Sequence, residues 1–152
     1  MLGNVIVGQS GGPTAVINSS LAGVFSAAKE LGVKKIYGMH HGIQGFLNED
    51  LIDISEYVQD DKDVELLKRT PSAFLGSCRY KLPKIEGNEE VYDKIFEILE
   101  KYDIECLFYI GGNDSMDTVS KLSRYAATVG SDIRIIGVPK TIDNDLVLTD
   151  HT

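Results

Sequence analysis

Apolar runs of strand character alternate along this chain with segments of helical periodicity, and this alternation limits the possible folds more than any other feature. The runs at residues 105–110 and 133–138 are each followed by a loop rich in glycine or acidic residues. The opening run, residues 1–8, leads into a glycine-rich turn and then a segment of helical period that reaches Leu31. This order predicts an α/β fold with a mostly parallel sheet and helices on both faces, a Rossmann-like three-layer sandwich.

The remaining segments continue the pattern. We predict one further strand and three further helices, at residues 35–39 and at residues 62–69, 89–101 and 115–128. Residues 40–53 contain Gly42 and Gly45 and have no sustained period, so we expect a loop with an irregular or short-strand section there.

Length and composition narrow the class of protein. A chain of 152 residues with 43% hydrophobic residues is long enough for one domain with a substantial core. The net charge of −8 disfavours a nucleic-acid binder, which normally carries a basic patch. Cys78 and Cys106 have neither metal-ligand nor disulfide spacing, and no signal peptide or run long enough to span a membrane is present, so we expect a cytoplasmic protein.

The first glycine loop contains Gly11 and Gly12 between a predicted strand and a helix expected to begin near residue 13 or 14. Glycines let the backbone approach a ligand, and a helix N-terminus directs free N–H groups at it. A phosphate would be stabilised there. Ordinary strand-to-helix packing explains the same residues, and both interpretations remain open for this loop alone.

A second glycine loop, residues 111–115, brings Asn113, Asp114 and Ser115 to the start of another predicted helix. Helix capping accounts for an Asp or Ser at such a position but not for the paired glycines. A carboxylate beside a phosphate is repulsive unless Mg²⁺ lies between them, so a functional loop here requires that metal.

An acidic turn follows the last apolar run and contains Asp143 and Asp145. Such turns are mostly structural when isolated. Phosphoryl transfer to an alcohol, however, needs a carboxylate that accepts the hydroxyl proton and cations that spread the phosphoryl charge. We therefore hypothesise that Asp143 is the base, that Asp145 orients the acceptor or metal, and that Lys140 contacts phosphate. Arg79 is a candidate phosphate clamp, although a solvated surface arginine is the commoner case.

Four ordered motifs resemble the N-terminal part of a phosphofructokinase, and the match spans nearly the whole chain. The motifs are residues 8–18, 76–82, 111–115 and 139–145. The resemblance implies phosphoryl transfer to the 1-hydroxyl of fructose 6-phosphate with Mg²⁺, giving fructose 1,6-bisphosphate. Residues 1–152 then form an N-terminal donor-binding domain of a longer, usually oligomeric protein. In the family a second domain completes the sugar-phosphate site, so we expect this chain alone to be inactive or nearly so.

The resemblance also implies roles for individual residues. Asp143 falls on the general base, and Thr141 and Asp145 fall on positions that bind the sugar phosphate and arrange the site. Asn113 stands where the family usually has an aspartate that serves the metal; it keeps one oxygen ligand but loses the charge, and Asp114 is the other candidate ligand. The donor-binding positions are Gly11, Gly12, Arg79, Gly112, Asp114 and Lys140.

The identity of the phosphoryl donor depends on two of these positions. In the family, ATP enzymes of the usual bacterial kind have glycine at both places, whereas diphosphate enzymes have Asp and Lys, as this chain does at Asp114 and Lys140. A carboxylate in place of a glycine excludes the α-phosphate of ATP by bulk and charge, and a lysine pairs with diphosphate. We therefore favour a reversible, diphosphate-dependent enzyme.

Several other readings of the sequence remain. An ATP-dependent phosphofructokinase is the nearest enzymatic alternative, because some ATP-dependent relatives share the lysine. Asn113 supports a catalytically silent phosphate-binding or regulatory module. A nucleotide or lipid kinase with a similar glycine loop fits residues 140–145 less well. A purely structural interpretation, in which every loop is ordinary turn chemistry, also remains open.

Overall fold

The computed structural model describes residues 3–12, 14–141 and 147. Five strands and five α-helices occupy most of this part of the chain, joined by short turns and loops. In chain order they are β1 (Asn4–Gln9), α1 (Ile17–Glu30), β2 (Ile36–Met39), α2 (Gly42–Leu47), β3 (Leu51–Asp53), α3 (Asp61–Arg69), α4 (Glu89–Lys101), β4 (Ile104–Gly111), α5 (Asn113–Val129) and β5 (Arg134–Pro139). A 3₁₀ turn, Ile54–Glu56, follows β3.

The strands form one sheet in the order β3-β2-β1-β4-β5. β1 pairs in parallel with both β2 and β4, β4 pairs in parallel with β5, and only the edge pair β2–β3 is antiparallel among the pairs described. The chain leaves β1 toward one edge of the sheet and leaves β4 toward the other. A crevice therefore opens between the carboxyl ends of these two strands, where ligands bind in open α/β sheets.

Helices cover both faces of the sheet, which confirms the predicted fold class. On one face α1 and α3 pack against the strands, and Leu21 and Phe25 are fully buried there. On the other face α2, α4 and α5 bury Tyr92, Ile95 and Leu122. Burying one large apolar side chain stabilises the folded state by about 1.5–3 kcal/mol. The two cores therefore hold the strand ends in fixed positions.

Residues 40–53 differ from the prediction because they contain a helix, α2, before the short strand β3. Ile43 and Phe46 lie three residues apart and are both buried, so tertiary packing stabilises a helix that glycine-rich sequence does not favour. Gly45 is required by close packing, because a Cβ there would lie 1.5 Å from the His40 carbonyl oxygen.

The start of α1 also differs from the prediction. The helix begins at Ile17 rather than near residue 13 or 14, and Val16 occupies its N-cap without a side-chain bond. The Ile17 amide donates to the Thr14 carbonyl oxygen at 3.4 Å, so a turn separates the glycine loop from the helix.

In the part of the chain that the structure describes, no helix is long and apolar enough to cross a membrane.

Candidate active site

The carboxyl ends of β1, β4 and β5 bring the glycine loops and Lys140 together. The Ser10 amide donates to the Ile110 carbonyl at 2.9 Å, and the Lys140 amide donates to the Gly111 carbonyl at 2.8 Å. A cavity of about 470 Å³ lies at this edge of the sheet. The expected site residues that line it are Gly11, Gly12, Arg79, Gly112, Asn113, Asp114, Lys140 and Thr141. Asp143 and Asp145 lie outside the described residues.

Backbone conformation explains the glycine at position 11, and close packing explains the one at position 111. Gly11 has a φ of +80°, a backbone conformation that residues other than glycine rarely adopt. A Cβ on this residue would lie 3.8 Å from Lys140 Nζ. At Gly111 a Cβ would lie 2.0 Å from Ser115 Oγ and 3.0 Å from the Ser10 carbonyl oxygen. Gly111 thus allows the end of β4 to approach both α5 and the loop after β1.

Helix α5 presents its N-terminus to the cavity. Its N-cap is Gly112, with no side-chain cap bond, so capping by Asp114 or Ser115 does not account for the motif. The Met116 amide donates to the Gly112 carbonyl at 3.0 Å, so the amides of residues 113–115 precede the intrahelical bonds. These N–H groups and the positive end of the helix dipole favour an anionic ligand.

Lys140 is the most buried charged side chain of the described part, with 6% of its surface exposed. Its Nζ donates to the Gly12 carbonyl oxygen, and burial lowers the pKa of the ammonium below its usual value. Among the described residues no carboxylate forms an ion pair with it. A buried cation without an acidic partner is costly, and an anionic ligand would compensate for that cost.

The carboxylate of Asp114 lies at the rim of the cavity, with 85% of its side chain exposed. Lys81 Nζ is 4.0 Å from Asp114 Oδ1, an exposed ion pair that contributes little to stability. Lys81 is one of two cations in the motif of residues 76–82, and the sequence predicts no role for it. Arg79, the other cation, lines the cavity with an exposed side chain.

The cavity offers oxygen ligands for a metal at Asn113 and Asp114, both in the first turn of α5. Within the described ranges no group of three His, Cys, Asp or Glu side chains is arranged to hold an ion. This donor set fits Mg²⁺, which accepts one or two protein oxygens and completes its shell with water and substrate phosphate oxygens.

Three hydroxyl groups that the sequence reasoning did not select also belong to this region. Ser77 Oγ donates to the Gly11 carbonyl oxygen at 2.8 Å, and Ser10 Oγ donates to the Cys78 carbonyl oxygen at 3.2 Å. The buried Tyr109 hydroxyl accepts from the Ile43 amide at 3.4 Å. Both serines lie within motifs already noted, but only the fold brings their partners, more than sixty residues away, into reach.

A larger cavity, about 1070 Å³, lies at the opposite ends of the strands and has a mostly apolar lining that includes Val24, Phe108 and Ile136. It lacks the glycine loops and lies away from the carboxyl ends of β1 and β4. Because ligands of open α/β sheets bind at the carboxyl ends, the smaller polar cavity is the candidate active site.

The sequence profile described as Phosphofructokinase matches residues 4–152. The chain belongs to the phosphofructokinase family. A pyrophosphate–fructose 6-phosphate 1-phosphotransferase of Halomonas elongata is 44% identical over 151 residues, which are 98% of this chain and 36% of that protein. A pyrophosphate-dependent phosphofructokinase structure from Nitrosospira multiformis superposes with a TM-score of 0.85 at 45% identity, covering 97% of this chain and 36% of the other.

An ATP-dependent 6-phosphofructokinase of Glaesserella parasuis is 33% identical over 152 residues, all of this chain and 43% of that protein. The family resemblance seen in the four motifs is thereby confirmed. This member of the phosphofructokinase family spans about a third of the length of the pyrophosphate-named relatives that it matches.

Proposed function

We propose that the complete polypeptide transfers a phosphoryl group from diphosphate to the 1-hydroxyl of fructose 6-phosphate, reversibly, to give fructose 1,6-bisphosphate. The observation that carries this proposal is the cavity at the ends of β1, β4 and β5, where Lys140 lies buried without an acidic partner among the described residues. Its ammonium, the N-terminal amides of α5 and the Arg79 guanidinium suit a small, highly charged phosphate donor.

The choice of diphosphate over ATP rests on Asp114. Its carboxylate extends at the rim of the cavity from the first turn of α5. A longer donor with a third phosphate and a nucleoside would bring additional charge and bulk toward this carboxylate, and diphosphate would not. The pyrophosphate-named relatives are also more similar to this chain than the ATP-dependent relative, which supports the same choice.

In the proposed reaction Asp143 accepts the proton of the sugar 1-hydroxyl as its oxygen bonds to phosphorus. The bridging P–O bond of diphosphate breaks, and orthophosphate leaves with the electron pair. Lys140 and Arg79 bind the donor, Thr141 and Asp145 bind and orient the sugar phosphate, and the glycine loops around Gly11, Gly12 and Gly112 supply backbone N–H groups. Mg²⁺ bound by Asn113 and Asp114 would neutralise charge on the transferred group.

We further propose that residues 1–152 are the donor-binding N-terminal domain and that other parts of the polypeptide complete the sugar-phosphate site. The coverage of about a third of the relatives' length supports this division. The full protein is proposed to be a cytoplasmic homo-oligomer, and the isolated chain to have little or no activity.

The variant Asp143→Ala tests whether the full-length protein is a catalyst. Loss of the general base should lower kcat by about 100- to 10,000-fold while diphosphate still binds. Asn113 favours one other candidate, a phosphate-binding module without turnover, for which wild type and variant would both bind diphosphate and neither would form product. Wild-type turnover that Asp143→Ala leaves unchanged would contradict the proposed role of this residue.

A further inference from the structure

Two serine hydroxyls connect the first glycine loop with the loop that carries Arg79. Ser77 Oγ donates to the Gly11 carbonyl at 2.8 Å, and Ser10 Oγ donates to the Cys78 carbonyl at 3.2 Å. The two bonds run in opposite directions between the loops. One joins residues that are 66 positions apart in sequence, and the other joins residues that are 68 positions apart. The acceptor residues of both bonds, Gly11 and Cys78, line the cavity, and neither bond belongs to a helix or a strand.

The bond from Ser77 determines which backbone group Gly11 offers to a ligand. A glycine loop binds an anion through its N–H groups, while a carbonyl oxygen directed at the anion would repel it. The Gly11 carbonyl is bound by Ser77, and the Gly12 carbonyl is bound by Lys140 Nζ. Both carbonyl oxygens of the paired glycines are thus occupied by donors from other segments.

Without Ser77 this arrangement would be weakly fixed. Peptide groups next to glycine rotate at small steric cost, and Gly11 already has a φ of +80°. The same bond holds the backbone two residues before Arg79, which lines the cavity. One hydroxyl therefore restrains both the glycine loop and the approach of the guanidinium.

We propose that Ser77 is a positioning residue for the phosphoryl donor: its hydroxyl fixes the Gly11 peptide and holds the loop of Arg79 at the donor cavity. This inference rests on the proposed function, because it concerns the donor side of the same site. The hydroxyl acts through Gly11 and Arg79 and is not assigned a contact with the donor itself.

The test uses the full-length protein with Ser77→Ala and Ser77→Thr. Loss of the hydroxyl should raise the KM for the donor about five- to tenfold, because a backbone acceptor loses its partner and the loop is released. The KM for fructose 6-phosphate should change by less than about twofold, since only the donor side is disturbed. Ser77→Thr keeps the hydroxyl and should restore most of the donor affinity. Diphosphate binding measured by calorimetry should weaken in Ser77→Ala and recover in Ser77→Thr.

Ser19→Ala is a matched control, because Ser19 Oγ donates to the Lys68 carbonyl at 3.3 Å between α1 and α3, outside the cavity. It removes a similar bond and should leave the donor KM unchanged. An unchanged donor KM in Ser77→Ala, equal rises for both substrates, or a threonine variant that behaves like alanine would each overturn the positioning role. Wild-type selectivity for ATP would instead contradict the proposed donor, and the Ser77 comparison would then be made with ATP varied.

Discussion

Replacing Lys140 with methionine should weaken binding of the phosphoryl donor much more than it lowers the stability of the fold. The ammonium lies in the cavity with 6% exposure, and its one described bond goes to the Gly12 carbonyl oxygen. Hydrogen bonds to charged groups contribute about 1.5–3 kcal/mol, and each 1.4 kcal/mol corresponds to about a tenfold change in affinity. The KM for diphosphate should therefore rise by about 10- to 150-fold.

Stability should respond differently to the same change. Burial lowers the pKa of Lys140, so folding disfavours its charged form, and methionine removes that cost while filling a similar space. The lost bond to Gly12 costs about 1.5–3 kcal/mol in return. Because the removed desolvation cost offsets part of this loss, we expect the free energy of unfolding to fall by less than about 2 kcal/mol.

The assay measures initial rates of the full-length protein over a range of diphosphate concentrations, together with urea unfolding of the same samples. Lys101→Met is the control: it also removes one positive charge, but from an exposed pair with Glu49 at 2.6 Å. Its donor KM should match wild type. An unchanged KM in Lys140→Met would refute the role of the buried ammonium. A loss of more than about 3 kcal/mol in stability would also refute it, because the rise in KM would then reflect general damage to the fold.

Three further predictions concern the loops and the core. Gly111→Ala should destabilise the fold by about 1–3 kcal/mol in urea unfolding, because its Cβ would lie 2.0 Å from Ser115 Oγ. Gly12→Ala is the control and should be as stable as wild type, because no atom lies within 4 Å of its Cβ. Equal stabilities of the two variants would contradict the packing argument. Asp114→Gly should raise kcat/KM for ATP relative to diphosphate in steady-state assays, and continued selectivity for diphosphate would contradict the steric argument. Burial raises the pKa of Tyr92 from 10.0 to about 12, so this tyrosine ionises in the unfolded chain before it ionises in the folded one. The free energy of unfolding should therefore fall by up to about 3 kcal/mol between pH 10.0 and about 12. Tyr92→Phe should flatten this pH dependence, and a slope identical to wild type would contradict the prediction.

The sequence predicts the parallel sheet and its two glycine loops because these depend on local patterns. A strand that ends in glycines and leads into a helix is visible from residue spacing alone, as for residues 105–128. The helix α2 was not predicted, because Gly42 and Gly45 obscure its period and its stability comes from burial of Ile43 and Phe46. Local propensity cannot report a tertiary contact of this kind.

The candidate site, like the fold, could be predicted from the sequence only in part. Residue types and motif order select Gly11, Asp114 and Lys140, and the structure brings all three to one cavity. The bond from Ser77 to Gly11 could not be predicted, because it joins segments 66 residues apart through one backbone carbonyl. Likewise the burial of Lys140 follows from the pairing of β4 with β5 rather than from the composition of its own loop.

The most direct test of the proposed function compares phosphoryl donors in the complete polypeptide. Formation of fructose 1,6-bisphosphate from fructose 6-phosphate and Mg²⁺ is measured with diphosphate or ATP at equal concentration. The charge of Asp114 at the cavity rim predicts a preference for diphosphate of about tenfold in kcat/KM, which corresponds to about 1.4 kcal/mol, because solvent screens the repulsion between the α-phosphate of ATP and a side chain that is 85% exposed. Equal use of the two donors, or a preference for ATP, would contradict the account.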